Sequence, residues 1–271
     1  HGNQSSIANI FDDHQNNTLT SLKLFNRISD FRSIEKVVYS AAGCAVAEKT
    51  FDSANATDED ASVSLFHDSP YSISKLIGEM YGNYFFQKND MPFVKARFQN
   101  VYGPREILGA GKWRGTQHTV WRNVIPTFIF KSLNNEALPL DNGGKGTRDF
   151  IFVDDVVKGL IQCALIGNPG EAYNLASGKE TSVFELAKLI NSITGNTTPL
   201  DLKKARDWDR SGKRFGSTRK SKEFINFEAE VEIDEGLNKT IEWTKNNLDL
   251  IKKTMAKHQN NLKEVTQYLK N

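Results

Sequence analysis

Pro70-Tyr71-Ser72-Ile73-Ser74-Lys75 opens an apolar pattern that runs to Lys88, and Phe93-Val94-Lys95-Ala96-Arg97-Phe98 follows it. Proline is tolerated in a first helical turn. Ile73, Leu76, Ile77, Met80, Tyr84 and Phe85 recur at helical spacing, so Tyr71 to Lys88 reads as a helix with these residues along one side. The run at 93–98 is short, apolar and partly β-branched, as a buried strand is. Upstream, Val37-Val38-Tyr39-Ser40 has the same character, and the polar stretch Lys49 to Ser69 between them reads as a surface loop. Strand, loop, helix and strand in that order make βαβ units, hence an α/β fold with a parallel sheet covered on both faces.

The pattern continues outward. Asp12 to Ile28 carries Leu19, Leu22, Leu24 and Phe25 as an amphipathic helix would. Residues 105–120 hold Gly109, Gly111 and Gly115 and read as a flexible loop, and Val124 to Leu133 as a helix. Phe150 to Val153 is a strand, followed by a helix to Ile166 capped by Asp154 or Asp155. Ala172 to Leu175 is another strand. Ser182 and Glu185 form a capping box for a helix reaching about Thr194. A helix from Ile233 to about Asn247 and a polar helical tail end the chain.

Composition bounds the function. The 271 residues are 38% hydrophobic and 25% charged, an ordinary globular mixture. A net charge of +2 selects neither nucleic acid nor an anionic membrane, and Lys252, Lys253 and Lys257 read as a solvated helix face. Cys44 and Cys163 make no disulfide framework, and no metal-ligand spacing joins them to the five histidines. No apolar run reaches the roughly 20 residues that span a bilayer. The first ten residues are polar and no secretory signal is legible, so the expected location is cytoplasmic.

Tyr71 and Lys75 are i and i+4 on one helix and share a face. An ammonium beside a phenol favours the phenolate, so Lys75 is expected to lower the pKa of Tyr71. A tyrosine tuned in this way takes a proton from a sugar hydroxyl and returns it.

With the Pro before Tyr71, the buried strand upstream and Lys95 to Pro104 downstream, the chain resembles the extended short-chain dehydrogenase/reductases. These are the NAD-dependent nucleotide-sugar epimerases, dehydratases and decarboxylases. Asn100-Val101-Tyr102-Gly103-Pro104 and Arg148-Asp149-Phe150-Ile151-Phe152-Val153-Asp154-Asp155 carry the likeness most specifically, which covers about His1 to Asn247. It implies Tyr71 as acid/base and Lys75 on the nicotinamide ribose, with Phe98 and Ala42 as further cofactor contacts. It implies Asn100, Asn123, Val124 and Arg148 as substrate contacts, with Arg206 or Arg210 completing a diphosphate clamp and Arg214 a further candidate. The family's Ser or Thr hydroxyl falls at Ala42 in Ser40-Ala41-Ala42-Gly43-Cys44. Ser40 takes that place if the register slips by two, and Cys44 matches a position where some relatives use a cysteine as acid/base.

The likeness further implies a partial Rossmann-type sheet with a smaller C-terminal substrate-binding domain. Residues 1–104, rejoined by 148–166, would be the C-terminal part of the dinucleotide-binding domain. Residues 105–147 and 167–247 would bind nucleotide sugar, and 248–271 would be a tail. No Gly-x-x-Gly-x-x-Gly or Gly-x-Gly-x-x-Gly occurs in the sequence. The expectation is therefore a chain beginning in mid-fold, after two or so βαβ units that would grip the pyrophosphate. The implied activity is that of a UDP-glucose 4-epimerase-like enzyme with tightly bound NAD, working as a homodimer. Gly43-Cys44 stands where 4,6-dehydratases place an Asp-Glu pair. A dehydratase, decarboxylase or 4-keto reductase, and a silent fragment or nucleotide-sugar scaffold, are the alternatives.

Overall fold

β-Branched and aromatic side chains fit a pleated, enclosed surface, and the first such run after the N-terminal helices becomes the first strand of the sheet. The computed structural model describes residues 2–47, 50–207 and 212–269. In chain order its regular elements are α1 (Asn3–Ala8), α2 (Ile10–Asp13), α3 (Thr20–Ile28), β1 (Val37–Ala42), β2 (Ala56–Thr57), α4 (Pro70–Asn89), β3 (Phe93–Phe98), β4 (Asn100–Tyr102), α5 (Val124–Leu133), β5 (Pro139–Leu140), β6 (Thr147–Arg148) and β7 (Phe150–Phe152). There follow α6 (Val153–Ile166), β8 (Ala172–Leu175), β9 (Thr181–Ser182), α7 (Val183–Thr194), β10 (Asp201–Leu202), β11 (Phe215–Gly216), α8 (Arg219–Ile225), α9 (Ile233–Asn246) and α10 (Leu248–Ala256). Among the described residues no helix is long and apolar enough to cross a membrane.

The central sheet is parallel, in the order β1-β3-β8. Val37 faces Phe93 and Ala42 faces Phe98, while Lys95 faces Ala172 and Phe98 faces Leu175. Successive side chains leave a strand on opposite faces. Tyr39, Ala41 and Phe93 therefore pack on one side with Phe25, Phe85 and Met91. Val94, Ala96, Tyr173 and Leu175 pack on the other, with Val156 and Cys163 of α6 and with Ile225 and Phe227. This is the Rossmann-like α/β arrangement expected from the alternating pattern.

The sheet-facing side of α4 differs from its expected apolar side. Ser72, Ser74, Gly78, Glu79, Gly82 and Phe85 are buried, whereas Ile73, Met80 and Tyr84 are about half exposed. The rings of Tyr39 and Phe93 press against the helix where Gly78 and Gly82 leave room, and a Cβ at either would collide with them. Gly82→Ala is expected to destabilise the protein by roughly 1–3 kcal/mol through overpacking, read from urea denaturation midpoints. An unchanged midpoint would contradict the close approach.

Several other expectations are corrected. The helix from Ile10 to Ile28 contains a π-helical stretch, His14–Leu19, and of its apolar residues Phe25 alone is fully buried while Leu24 faces solvent. The polar loop before α4 is not all surface: β2 pairs with β11, and Thr57 and Glu59 are buried. Leu108, Thr119 and Val120 anchor the glycine-rich segment in a core. Neither Asp154 nor Asp155 caps α6, which starts at Val153 with no side-chain cap; Asp155 is buried and accepts the Val231 N–H at 3.0 Å. The Ser182–Glu185 capping box forms as expected.

Two compact units are found. The first comprises 1–101, 146–181 and 207–231; the second comprises 102–145, 182–206 and 232–271. Residues 167–181 and 207–231 thus join the sheet-bearing unit rather than the second one, because β8 pairs with β3 and β11 with β2. The tail is not merely polar. Ile251, Met255, Val265 and Tyr268 are buried with Leu108, Val120 and Phe130 in the core of the second unit.

Candidate active site

Ser69, extended, caps α4: its Oγ accepts the Ser72 N–H, and Pro70 occupies the first turn. Tyr71 is therefore the second residue of the helix, and its own N–H donates to Ser6 Oγ of α1 at 3.0 Å. One turn later Lys75 extends to the carboxyl-terminal part of β1, where its Nζ donates to the Ser40 carbonyl at 2.9 Å. The same ammonium lies 5.2 Å from the Tyr39 ring centroid and 5.9 Å from that of Tyr71. Helix and strand thus bring the two expected residues together.

The electrostatics depart from expectation. Burial pushes the Tyr71 phenol above its ordinary value, with smaller contributions in the same direction from Cys44, Tyr39 and Asp13. Burial also lowers Lys75, opposed by Asp13 and Cys44. The Tyr71 phenol is raised rather than lowered, because desolvation outweighs the nearby Lys75 ammonium. Burial likewise pushes Tyr39 up to about 12.

Ala42 is buried at the end of β1 and faces Phe98 across the ladder, so these two stand side by side at the carboxyl ends of their strands. Ser40 is exposed, and it is its carbonyl that reaches Lys75. Cys44, half-buried, places Sγ 3.8 Å from Ser72 Oγ. Ser72 in turn is 3.2 Å from Ser69 Oγ and donates to Asp68 Oδ1 at 3.4 Å. Asn100 N–H donates to the Asp149 carbonyl, which fixes the segment after β3. Arg148 Nη1 donates to the carbonyls of Thr147 (2.6 Å) and Gly212 (2.8 Å).

Asn123, Val124 and Arg206 lie in the second unit. Asn123 has φ +40°, precedes α5 and donates to Glu106; Val124 begins that helix. Arg206 pairs with Asp141. Arg210 lies outside the described residues. The motifs do not single out Ser6, Asp13, Tyr39, Gln99 or Ser72, which also surround Tyr71, Lys75 and Cys44. Asp13 is buried and accepts from Asn17 Nδ2 at 2.8 Å. The signal that could have found it is an acidic residue on a helix face that otherwise packs.

The NAD dependent epimerase/dehydratase family model matches residues 1–176. A putative UDP-glucose 4-epimerase of Methanocaldococcus jannaschii is 28% identical over 90% of this chain and 74% of its own length. Human dTDP-D-glucose 4,6-dehydratase is 30% identical over 66% of this chain, which spans about half, 49%, of that relative. The crystal structure of the Bordetella bronchiseptica enzyme WbmF in complex with NAD+ superposes with a TM-score of 0.84 at 55% identity, over 97% of this chain and 75% of that one. The chain belongs to the NAD dependent epimerase/dehydratase family.

Proposed function

We propose that this protein inverts C4 of a UDP-sugar by transient oxidation, in the manner of a UDP-glucose 4-epimerase, with NAD as its resident cofactor. The observation that carries this is the Tyr71–Lys75 pair on the first turns of α4, beside the carboxyl end of β1. Ligands of parallel α/β sheets bind at that end of the strands. The donor set suits the nicotinamide-ribose half of NAD. Lys75 spends one N–H on Ser40 and has two left for ribose hydroxyls, while Ala42 and Phe98 offer adjacent apolar side chains. The relatives that support the reading include the WbmF crystal structures with NAD+ and with NAD+ and UDP.

Bound NAD would supply a hydride acceptor at the sugar carbon and return the hydride to the opposite face. Tyr71 Oη takes the proton of the C4 hydroxyl and later gives it back. Its raised phenol must first ionise, and the nearby Lys75 ammonium is the residue positioned to favour that. Of the two β1-end candidates, Cys44 suits a hydrogen-bonding role better than Ser40, because its thiol reaches Ser72 while the Ser40 side chain faces solvent. Asn100 and Arg148 of the first unit are assigned to the diphosphate, and Asn123, Val124, Arg206 and Arg210 to the nucleotide and clamp. Residues 1–101, 146–181 and 207–231 would be the cofactor-binding unit. A cytoplasmic location accompanies this reading.

The test is product analysis by proton NMR after incubation with NAD+ and UDP-sugars differing at C4. Appearance of the C4 epimer from either side supports the proposal. A dehydrated or decarboxylated product supports the other chemistries among the relatives. Binding without any product supports a nucleotide-sugar scaffold, a second reading that the raised Tyr71 phenol favours.

The proposal extends to a homodimer. Ile73, Met80 and Tyr84 expose an apolar stripe along α4, with Leu24 exposed on α3. Sedimentation velocity at micromolar concentration is expected to show a dimer that Met80→Glu dissociates; a wild-type monomer would remove this part.

A further inference from the structure

We propose that Arg214 reads a carboxylate on the sugar, which makes the substrate an acidic nucleotide sugar of the uronic acid class. This rests on the nucleotide-sugar reading above and narrows it.

Arg214 follows the Thr50–Lys213 bridge and leads into β11. Its backbone is fixed, since the Arg214 N–H donates to Thr147 Oγ1 at 3.1 Å and Lys213 N–H to the Thr50 carbonyl at 2.6 Å. The residue is only 6% exposed, yet Nη1 is buried and no described residue accepts a hydrogen bond from it. A buried guanidinium without an acceptor is costly unless a ligand completes it.

The neighbouring acids are already committed. Asp149 is buried and saturated: Oδ1 accepts from Ser177 N–H and Oγ, and Oδ2 from the N–H groups of Gly178 and Gly216. Glu180 is exposed and accepts the Thr147 hydroxyl. Among the described residues no carboxylate accepts from the Arg214 guanidinium.

The direction in which that oxyanion would lie follows from the strand. Residues i and i+2 of an extended run share a face. The Cβ direction of Gly216 points at Gln99 Nε2, 2.9 Å away, and at Ala176. Gln99 in turn fills the space over Gly43, the residue before Cys44. Gly216 thus faces Gln99 and, through it, the end of β1, where Cys44 approaches Ser72 beside Tyr71; by strand alternation the proposal takes Arg214, two residues earlier, to the same face. That end of the sheet carries the proposed Tyr71–Lys75 site. A sugar hydroxyl would satisfy one N–H but leave the charge; a carboxylate satisfies both, in the forked geometry arginine offers.

The experiment is isothermal titration of the 271-residue chain, and of its Arg214→Gln and Arg214→Lys variants, with UDP, UDP-glucose and UDP-glucuronate. Wild type is expected to bind UDP-glucuronate roughly 10–100-fold more tightly than UDP-glucose, the range for a charge-assisted hydrogen bond. Arg214→Gln should abolish that preference and leave UDP affinity unchanged. Arg214→Lys, which keeps the charge without the fork, should retain part of it. The melting temperature of Arg214→Gln should not fall, because the replaced charge has no partner among the described residues; a lower one would mark a structural residue and overturn the proposal. So would loss of UDP affinity equal to the loss of UDP-glucuronate affinity, which would assign Arg214 to the diphosphate. Equal wild-type affinity for both sugars would overturn this proposal alone. Failure of wild type to bind UDP at all would overturn it together with the nucleotide-sugar reading.

Discussion

Replacing Tyr71 by phenylalanine is expected to lower turnover by roughly 10²–10⁴-fold, the usual contribution of a positioned general acid/base. Binding of the UDP-sugar should change little. The phenol oxygen is the one atom removed, and the anchor of the helix turn is the Tyr71 N–H to Ser6 Oγ, which phenylalanine keeps. Because burial raises the Tyr71 phenol, wild-type activity should also rise with pH toward the alkaline range as more phenolate forms. The Tyr71→Phe residual activity should lack that rise. Turnover within a few-fold of wild type would place the proton transfer elsewhere, with Cys44 the first side chain to replace.

Glu79→Gln is expected to cost about 3–5 kcal/mol of stability, the penalty for leaving a buried charge without its partner. Glu79 of α4 and Arg97 of β3 are buried and meet as a fork, with Arg97 Nε to Oε1 at 2.9 Å and Nη2 to Oε2 at 2.8 Å. Nη1 of the same arginine donates to the Glu59 carbonyl at 2.6 Å, and the Glu59 carboxylate accepts the Asn174 N–H at 2.7 Å. This network ties the helix that carries Tyr71 and Lys75 to the middle strand of the sheet, and it ties the segment after β2 to β8. Replacing both partners, Glu79→Met with Arg97→Met, should cost less than the single change, since no bare charge remains. Urea denaturation of the three variants distinguishes the cases. Equal stability of wild type and Glu79→Gln would mean that the pair contributes nothing.

The local rules that made β1, α4 and β3 legible act within a few residues: β-branched and aromatic runs, a proline at a helix start, a capping box. Tyr71 and Lys75 were legible for the same reason, since four residues on one helix fix their common face. What the sequence left hidden depends on residues far apart in the chain. The face of α4 that packs on the sheet is built of Ser, Gly and Glu79 because the rings of Tyr39 and Phe93 occupy the space, which no reading of α4 alone contains. Thr57 and Glu59 look like loop residues until β11, far along the chain, pairs with β2 (Thr57 with Gly216). The tail looks polar because its buried hydrophobic side chains, Ile251, Met255, Val265 and Tyr268, are spaced among lysines. The fall of the Tyr71 pKa was expected from Lys75 alone; desolvation by the surrounding fold, invisible in a five-residue motif, carries it the other way.

The most direct test of the central claim, that Tyr71 and Lys75 serve a reversible oxidation at the sugar carbon, follows deuterium placed at C4 of the UDP-sugar. The account predicts a C4 epimer that retains the label at C4, because hydride leaves and returns without exchanging with water, and loss of that product in Tyr71→Phe. Product with the label washed out into solvent, or no epimer from a UDP-sugar that the chain binds, would contradict it.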